Sequence, residues 1–190
     1  MEKPFNIIIV GVGGQGLITL NNIIAKAAFN DGYDVKTSEL HGLSQREGSV
    51  ETYIRFGKKV FSPLFVAGKA DLVLGLEETE ALRAVRFANP KTIFVVNKNF
   101  ISYDQDILQD SVEKKLNSLI AENLRLIPAS ETCKKELGKE VVSSIYLLGY
   151  CISKKLIPLQ AKSVLEAIEN IIPEKYLELN KKAFELAENL

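Results

Sequence analysis

Hydrophobic and polar positions follow two different periods along the first two thirds of the chain. Short apolar runs typical of strands alternate with longer stretches in which apolar residues recur every three or four positions, as in amphipathic helices. The predicted strands are Phe5–Val10, Asp34–Ser38, Val50–Phe56, Leu72–Gly75, Thr92–Val96 and Leu124–Ile127, and the predicted helices are Leu17–Phe29, Glu78–Ala88, Ser111–Ala121, Glu140–Lys154, Gln160–Ile171 and Glu174–Asn189. This alternation indicates an α/β sheet with helices on both faces.

One segment departs from the alternation. Residues 50–56 alternate apolar and polar side chains, and Gly57-Lys58-Lys59 then marks a turn before Val60-Phe61. Such a pattern is typical of a hairpin or an exposed antiparallel edge. The predicted fold class is therefore α/β, a three-layer Rossmann-like mixed sheet that is mostly parallel, with one antiparallel edge or hairpin and a helical C-terminal region. We expect residues 1–190 to form a single domain, since 190 residues with 46% hydrophobic content can bury one sizeable core.

Composition narrows the class of partner. The 24 basic residues are balanced by 24 acidic ones, so no overall basic field favours nucleic acid or anionic lipid. The sequence contains no run of about 18 apolar residues, and its first residues lack the features of a secretory signal. Cys133 and Cys151 are too few for an iron–sulfur cluster, and a single His makes a metal site improbable. We expect a cytoplasmic protein with reduced thiols, no metal, no membrane contact and no nucleic-acid partner.

A glycine-rich turn follows the first predicted strand. Gly11-Val-Gly-Gly-Gln-Gly16 precedes an apolar-periodic helix, and its glycines allow a tight turn and a close approach of the backbone to a ligand. The helix start behind the turn offers unpaired N–H groups and partial positive charge, which suit a phosphate. Candidate cofactor-binding residues are therefore Gly11, Gly13, Gly14, Gln15 and Gly16. The pattern alone fits many proteins.

A second polar, glycine-containing segment follows the second predicted strand. It runs from Ser38 to Ser49 and contains the only His of the chain. In an open α/β sheet such a segment lies beside the first glycine turn, so the two segments are predicted to share one crevice. Its candidate binding residues are His41, Ser44, Gln45, Arg46 and Ser49, of which Arg46 offers a fork of donors for phosphate or carboxylate. A solvated surface loop remains the simpler alternative, and no nucleophile with an activating partner is apparent, so no catalytic residue is predicted.

The same residues leave other functions open. A dinucleotide site often uses an acidic residue at the end of the second strand to hold a ribose, and Glu39 is near that position. The polar segment from His41 to Gly48 has no role in that arrangement. A stand-alone NAD- or flavin-dependent oxidoreductase and a non-catalytic interaction module are the two alternatives.

Three further features have structural interpretations. Glu77, Glu78 and Glu80 follow a strand and are predicted to begin a helix, where acidic side chains suit the helix dipole. Cys151 lies among apolar residues and is predicted to be core. Gly149 lies within a helical pattern, where it costs about 1 kcal/mol relative to Ala unless close packing compensates.

The two glycine segments together resemble a known family. The chain is similar to the gamma-type component of the 2-oxoacid:ferredoxin oxidoreductases, and most of all to the indolepyruvate ferredoxin oxidoreductase beta subunit. The motifs that carry the resemblance are Gly11–Gly16, Tyr33–Val50 continuing into Tyr53–Gly57, and a weaker match at Asn180–Phe184 after Leu147–Gly149. The resemblance covers essentially the whole chain.

The resemblance implies a subunit that is not active alone. Enzymes of the family convert a 2-oxoacid, CoA and oxidised ferredoxin into acyl-CoA, CO2 and reduced ferredoxin. The resemblance implies that the 2-oxoacid of this complex is an arylpyruvate. It places thiamine diphosphate and the iron–sulfur clusters on partner subunits, with ferredoxin reached through the complex. The gamma-type component helps to hold CoA, a role that carries to Gln45 and Arg46, with Gly13–Gly16 near the same ligand. His41 and Ser44 would face the cleft shared with the thiamine-bearing subunit, and an isolated chain would be able to form a homodimer.

Two positions depart from the family pattern. The usual run continues Gln-Arg-Gly-Gly-Ser, whereas Glu47 here stands in place of the first of those glycines. This places a negative charge beside the proposed phosphate site, where it can pair with Arg46. Near Ser144 the family often has Asn. These departures concern the substrate and the CoA contacts rather than the fold.

Overall fold

The computed structural model describes residues 3–41, 48–102 and 108–187, with His41 described by its backbone only. The strands are β1 (Phe5–Val12), β2 (Asp34–His41), β3 (Ser49–Gly57), β4 (Leu72–Gly75), β5 (Ile93–Asn97) and β6 (Leu124–Ile127). The helices are α1 (Leu17–Asn30), α2 (Glu78–Arg83), α3 (Gln109–Ile120), α4 (Ala129–Leu137), α5 (Ser143–Ser153), α6 (Ala161–Ile171) and α7 (Glu174–Leu186). Short 3₁₀ turns occupy residues 84–87, 121–123 and 140–142.

The six strands form one mixed sheet in the order β2-β3-β1-β4-β5-β6. β1, β4, β5 and β6 pair in parallel, and β3 runs antiparallel to both β1 and β2. The predicted mostly parallel sheet with an antiparallel hairpin is confirmed. The position of the hairpin differs from the prediction, because β3 pairs with the preceding strand β2 and Val60-Phe61 lies outside the strands. β3 is also an inner strand, and Tyr53 and Ile54 on its two faces are both buried.

The sheet separates two apolar clusters. On one face Ile7 and Ile9 of β1 pack with residues of α1 and of the C-terminal helices. On the other face Ile8 and Val10 pack with residues of α2 and α3. Because both faces of β1 are covered, its sequence is continuously apolar rather than alternating. Because α1 and α2 belong to different layers, the chain leaves the ends of β1 and β4 toward opposite faces of the sheet.

One helix was not predicted from the sequence. α4 is nine residues long, and its sequence carries few apolar side chains, so its periodicity is weak. Its boundaries nevertheless carry recognisable signals: Pro128 precedes the first turn, and Gly138 ends the helix in the left-handed region with φ of 70°. The predicted helix from Glu78 to Ala88 instead ends at Arg83 and continues as a 3₁₀ turn.

The C-terminal helices pack closely on the α1 face. Gly149 of α5 faces α7, and a methyl group added at Gly149 would clash with the carbonyl oxygen of Phe184. Close packing against α7 therefore accounts for the glycine within this helix. Cys151 is fully buried in this layer, as predicted, and Cys133 is buried too. Burial raises the pKa of the Cys133 thiol to about 11. Among the helices of residues 3–41, 48–102 and 108–187, none has the length and apolar character to cross a membrane.

Candidate functional site

A crevice forms where the carboxyl ends of β1 and β4 lie side by side. The chain leaves β1 through α1 on one face of the sheet and leaves β4 through α2 on the other face. Open α/β sheets bind ligands at such a point, because the two departing helices leave space between them. The glycine turn, residues 13–16, lies here between β1 and α1.

The glycine turn delivers an uncapped helix start to this crevice. Gly14 has φ of 103° and Gly16 has φ of 81°, values in the left-handed region that favours glycine. Gly16 begins α1 without a side-chain cap, and the first turn of α1 contains no acidic residue. Within the described residues, the N–H groups of Leu17, Ile18 and Thr19 have no backbone acceptor. The end of α1 therefore presents free donors and partial positive charge, which suit an anion.

Gln15 holds the turn in place. Its Oε1 accepts a hydrogen bond from the N–H of Val12 at 2.8 Å, and its Nε2 donates to the carbonyl oxygen of Leu76 at 3.4 Å. A Cβ at Gly11 would lie only 2.6 Å from that Oε1, so the glycine at position 11 makes room for the Gln15 side chain. Gln15 thereby ties the turn to the end of β4. The binding roles predicted for Gly11 and Gln15 stay predictions.

A cavity of about 390 Å³ opens beside the turn. Its walls include Gly14 and Gln15 from the turn, Ser130 at the start of α4 and Ser143 at the start of α5. α4 and α5 begin without a side-chain cap, and residues of their first turns line this cavity, so partial positive charge lies at its wall. The exposed residue Glu140 also lines the cavity and opposes this field with a negative charge. We call this space the phosphate cavity, after the ligand that the sequence predicts for the adjacent glycine turn.

Asn97 fixes one wall of the phosphate cavity. Its side chain is 1% exposed, its Nδ2 donates to Ser130 Oγ at 2.8 Å, and its Oδ1 accepts from the N–H of Ser130 at 3.1 Å. The same Nδ2 lies 3.3 Å from the carbonyl oxygen of Leu76, which also receives the Gln15 amide. The sequence prediction missed Asn97, although a polar residue directly after the predicted strand ending at Val96 was an available signal. Ser130 was missed because its helix was missed.

The second polar segment returns to the turn as predicted. The N–H of Gly13 donates to the carbonyl oxygen of Gly48 at 3.0 Å. This contact arises because β3 begins beside the end of β1, where Ser49 pairs with Val12, and not because β2 lies next to β1. The Ser49 hydroxyl donates to Glu80 Oε2 at 2.6 Å.

The remaining predicted residues of this segment have no described side chains. His41 ends β2 opposite Val50, and its side chain lies outside the described residues. Ser44, Gln45 and Arg46 also lie outside the described residues, as does Glu47. Their predicted contacts with a ligand, and that of Ser49, stay predictions.

The start of α2 forms a buried acidic cluster on the opposite face of the sheet. Glu77 is fully buried, its Oε2 accepts from the N–H of Glu80 at 2.8 Å, and its Oε1 accepts from the N–H of Ile101 at 3.1 Å. Burial raises the pKa of both Glu77 and Glu78. Glu80 is paired with Arg83 at 2.6 Å. The predicted helix start is confirmed, and burial of its carboxylates is a new finding. Within the described parts of the chain, no cluster of three or more His, Cys, Asp or Glu can hold a metal ion.

The position of Glu39 bears on the dinucleotide alternative. Glu39 is exposed on β2, which is separated from β1 by β3. Two strand spacings place β2 roughly 10 Å from β1. In the usual dinucleotide arrangement the acidic residue ends a strand adjacent to the glycine turn. The arrangement around Glu39 therefore disfavours that site.

Comparison with known proteins gives a consistent family. A family model described as "Pyruvate ferredoxin/flavodoxin oxidoreductase" matches residues 6–190. A similar relative is the indolepyruvate oxidoreductase subunit IorB of Pyrococcus horikoshii, which is 34% identical over 199 residues, covering 97% of this chain and 94% of the relative.

Two solved structures share the fold. The gamma subunit of a keto/oxoacid ferredoxin oxidoreductase from Geobacter sulfurreducens has a TM-score of 0.72 and 21% identity, covering 97% of this chain and 96% of that subunit. A 2-oxoglutarate:ferredoxin oxidoreductase from Magnetococcus marinus, solved with 2-oxoglutarate, coenzyme A and succinyl-CoA bound, has a TM-score of 0.74 and 20% identity. The match covers 100% of this chain and 31% of that longer chain.

Proposed function

Since this chain belongs to the pyruvate ferredoxin/flavodoxin oxidoreductase family, as a gamma-type subunit of a 2-oxoacid:ferredoxin oxidoreductase, we propose that its glycine turn binds the phosphates of coenzyme A. The observation that carries the proposal is the uncapped start of α1, whose free N–H groups lie at Leu17, Ile18 and Thr19. Bound CoA supplies the thiol that accepts the acyl group. The residues of this chain hold the phosphates and so position that thiol.

The phosphate cavity fits an anionic ligand of this kind. Its volume of about 390 Å³ lies within the range of small-molecule sites. First-turn residues of α4 and α5 line it beside the turn that leads into α1, and Gly14 leaves the backbone uncovered, since no atom lies within 4 Å of the position of a Cβ there. Backbone donors at a helix start require no basic side chain, which suits a chain of zero net charge. Gln45 and Arg46 would complete the site from the second polar segment.

The substrate and partner follow from the relatives. The name of the Pyrococcus horikoshii protein specifies indolepyruvate, so an arylpyruvate is the 2-oxoacid that we propose. The partner is a larger subunit that carries thiamine diphosphate and iron–sulfur clusters and passes electrons to ferredoxin. In the Magnetococcus marinus enzyme the matching fold occupies 31% of a longer chain, as expected if this fold works together with a larger part of the enzyme.

The proposal is tested on the complex purified with its large subunit. The wild-type complex should reduce a viologen dye in a reaction that requires both an arylpyruvate and CoA. In that complex Arg46→Ala should raise the apparent CoA dissociation constant roughly 10- to 100-fold, the loss of one charge-assisted phosphate contact. Glu140→Gln is the matched charge change within the phosphate cavity, and it should tighten CoA binding slightly.

Two outcomes would support the alternatives. Saturable binding of NAD or flavin to the isolated chain, weakened by Glu39→Ala, would indicate a stand-alone oxidoreductase. A complex whose turnover and CoA affinity are unchanged by Arg46→Ala would indicate an interaction subunit that takes no part in CoA binding. Failure to associate with any thiamine-bearing subunit would contradict the proposed partner.

A further inference from the structure

The connection between β3 and β4, residues 58–71, has no role in the function described above. It contains neither helix nor strand, and it lies at the edge of the sheet opposite the glycine turn, because β3 ends and β4 begins beside the start of β1. Long connections without secondary structure are usually either mobile or functional. Residues 60–67 are also mostly apolar, whereas connections at a protein surface are normally polar.

The inner side of this connection is packed against the sheet. The ring of Phe65 lies edge-on to that of Tyr53 of β3, with their centroids 5.5 Å apart. Arg55 of β3 donates from Nη1 to the carbonyl oxygens of Ser62 and Leu64, at 2.9 and 3.0 Å. The chain's own contacts therefore hold the connection in place, and its outer side is presented in a defined arrangement.

The outer side of the same connection exposes large apolar side chains. Phe61 is 84% exposed, Val66 is 70% exposed and Leu64 is 48% exposed. The connection is thus apolar on both sides, as β1 is, but its own chain covers only one of them. Apolar side chains grouped on an ordered, exposed segment are typical of a protein–protein interaction site.

Basic side chains border this apolar group. Lys58, Lys59 and Lys69 are exposed, and residues 58–69 contain no acidic residue, although the whole chain has zero net charge. The ammonium group of Lys59 lies 4.9 Å from the centre of the Phe61 ring. We call the three apolar side chains and these three lysines the β3–β4 surface.

The charge of the β3–β4 surface distinguishes between possible occupants. A two-fold contact with a second copy of this chain would bring the same lysines of both copies together, and like charges in an interface are costly. A protein surface with an apolar centre and a border of carboxylates complements both the apolar side chains and the lysines.

We infer that the β3–β4 surface binds the larger subunit of the complex through an apolar segment of that subunit bordered by acidic side chains, an inference that rests on the proposed function. A gamma-type subunit works within a complex, so a larger protein is present to cover the exposed side of the connection. The surface lies at the sheet edge opposite the glycine turn. This contact therefore anchors the chain without touching CoA, and association can be separated from CoA binding by mutation.

The test titrates the purified large subunit with the full chain and measures the dissociation constant of the complex. Phe61→Glu should raise that constant by about tenfold or more, because an apolar anchor is lost and a carboxylate meets the acidic border. Phe29→Glu is the matched control, since Phe29 of α1 is 66% exposed and has the Lys26 ammonium 5.6 Å from its ring centre, but lies outside the β3–β4 surface. It should change the constant by less than about twofold. With the large subunit at saturating concentration, neither variant should change CoA affinity.

A measurement on the wild-type chain keeps the test decisive if Phe61→Glu does not fold. Backbone amides of residues 59–67 should exchange hydrogen more slowly in the complex than in the isolated chain, because the larger subunit covers them. Reversing the charges of Lys58 and Lys59 together should weaken the complex about tenfold at low salt and less at high salt.

Three results would overturn the inference and leave the proposed function standing. They are unchanged association of Phe61→Glu, an equal loss with Phe29→Glu, and equal amide exchange of residues 59–67 in the complex and the isolated chain. Self-association of the isolated chain that Phe61→Glu abolishes, with binding to the large subunit intact, would assign the surface to a second copy and also overturn the inference. If the wild-type chain binds neither the large subunit nor CoA, the proposed function itself fails.

Discussion

Two helices begin at the same edge of the sheet, and they differ in whether the chain itself caps the N-terminal end of the helix. α1 begins at Gly16 with no side-chain cap and no acidic residue in its first turn. α2 begins with the Glu77 carboxylate as its cap, and Glu78 and Glu80 follow in its first turn, all buried. The field of α2 is therefore neutralised inside the protein, whereas the field of α1 is left for an external anion.

The difference in capping assigns one helix start to stability and the other to binding. A helix start that is capped by its own chain contributes to folding and offers fewer donors to a ligand. An uncapped start gives up that stabilisation and keeps its N–H groups for a partner that arrives later. Both starts follow parallel strands of one sheet, so the residues of the two turns, rather than their position, set the role of each helix.

Removing the α2 cap should have the largest effect. Glu77→Ala leaves the N–H groups of Glu80 and Ile101 without their acceptor in a buried position. The free energy of unfolding should fall by about 2–3 kcal/mol, measured by urea denaturation of the isolated chain. Glu77 also holds Ile101, which lines the phosphate cavity, so CoA affinity of the complex should fall only a few fold, since that wall loses a supporting hydrogen bond rather than a contact with the ligand.

Glu174 offers a matched control for that experiment. It is exposed in the first turn of α7 and caps nothing, so Glu174→Ala should cost less than about 1 kcal/mol. If Glu77→Ala reduced CoA affinity as strongly as a change at the start of α1, the division between a structural and a binding helix start would be wrong.

Giving α1 an acidic residue should convert it toward the behaviour of α2. Ile18 is 49% exposed in the first turn of α1. Ile18→Glu should weaken CoA at least tenfold by repulsion of the phosphates, while the isolated chain should keep its stability or gain about 0.3–1 kcal/mol from the helix dipole. Calorimetric titration and urea denaturation measure the two quantities separately.

The neutral variant Ile18→Gln separates the effect of the negative charge from the effect of side-chain shape. It should weaken CoA less than threefold, and raising the salt concentration should narrow the gap between the two variants. Equal losses with Glu and Gln would show that side-chain shape at Ile18, rather than charge, controls binding.

The smallest expected effect is a pH dependence from the buried acids. Burial raises the pKa of Glu78 above its ordinary value of 4.5. The neutral form is therefore favoured in the folded chain, so its contribution to stability is complete below pH 4.5 and is lost as pH rises through the folded pKa. Glu78→Gln should make stability fall less steeply above pH 4.5, by at most about 1.4 kcal/mol per pH unit. Unchanged slopes in urea denaturation across this range would contradict the role given to Glu78.

Much of the fold could be predicted from the sequence. All six strands were found, because strands buried on both faces, such as β1, are continuously apolar and stand out from the helices. The partner of β3 was not predictable from alternation, because alternation reports burial on a face and does not report which strand lies alongside. α4 was missed because its sequence has few apolar residues, and only its Pro128 and Gly138 boundaries marked it.

The candidate site was predicted in part. Left-handed backbone at Gly14 and Gly16 confirms that the turn needs its glycines, since few other residues adopt it. The need for glycine at position 11 could not be predicted, because it arises from a contact with the Gln15 side chain that forms only in the folded turn. The burial of Glu77 could not be predicted either, because acidic residues are mostly solvent-exposed and three of them lie close together in this sequence.

The antiparallel β3 has a consequence for how this subunit can be altered. Residues 42–47 join two strands whose ends already face each other, with His41 opposite Val50, and the pairing of β2 with β3 holds both ends in register. Because the sheet fixes these ends, we expect β2 and β3 to keep their register when the length or sequence of the six-residue connection is changed. The fixed strand ends therefore make this connection a defined unit that can be exchanged between related subunits to test the predicted roles of Gln45 and Arg46.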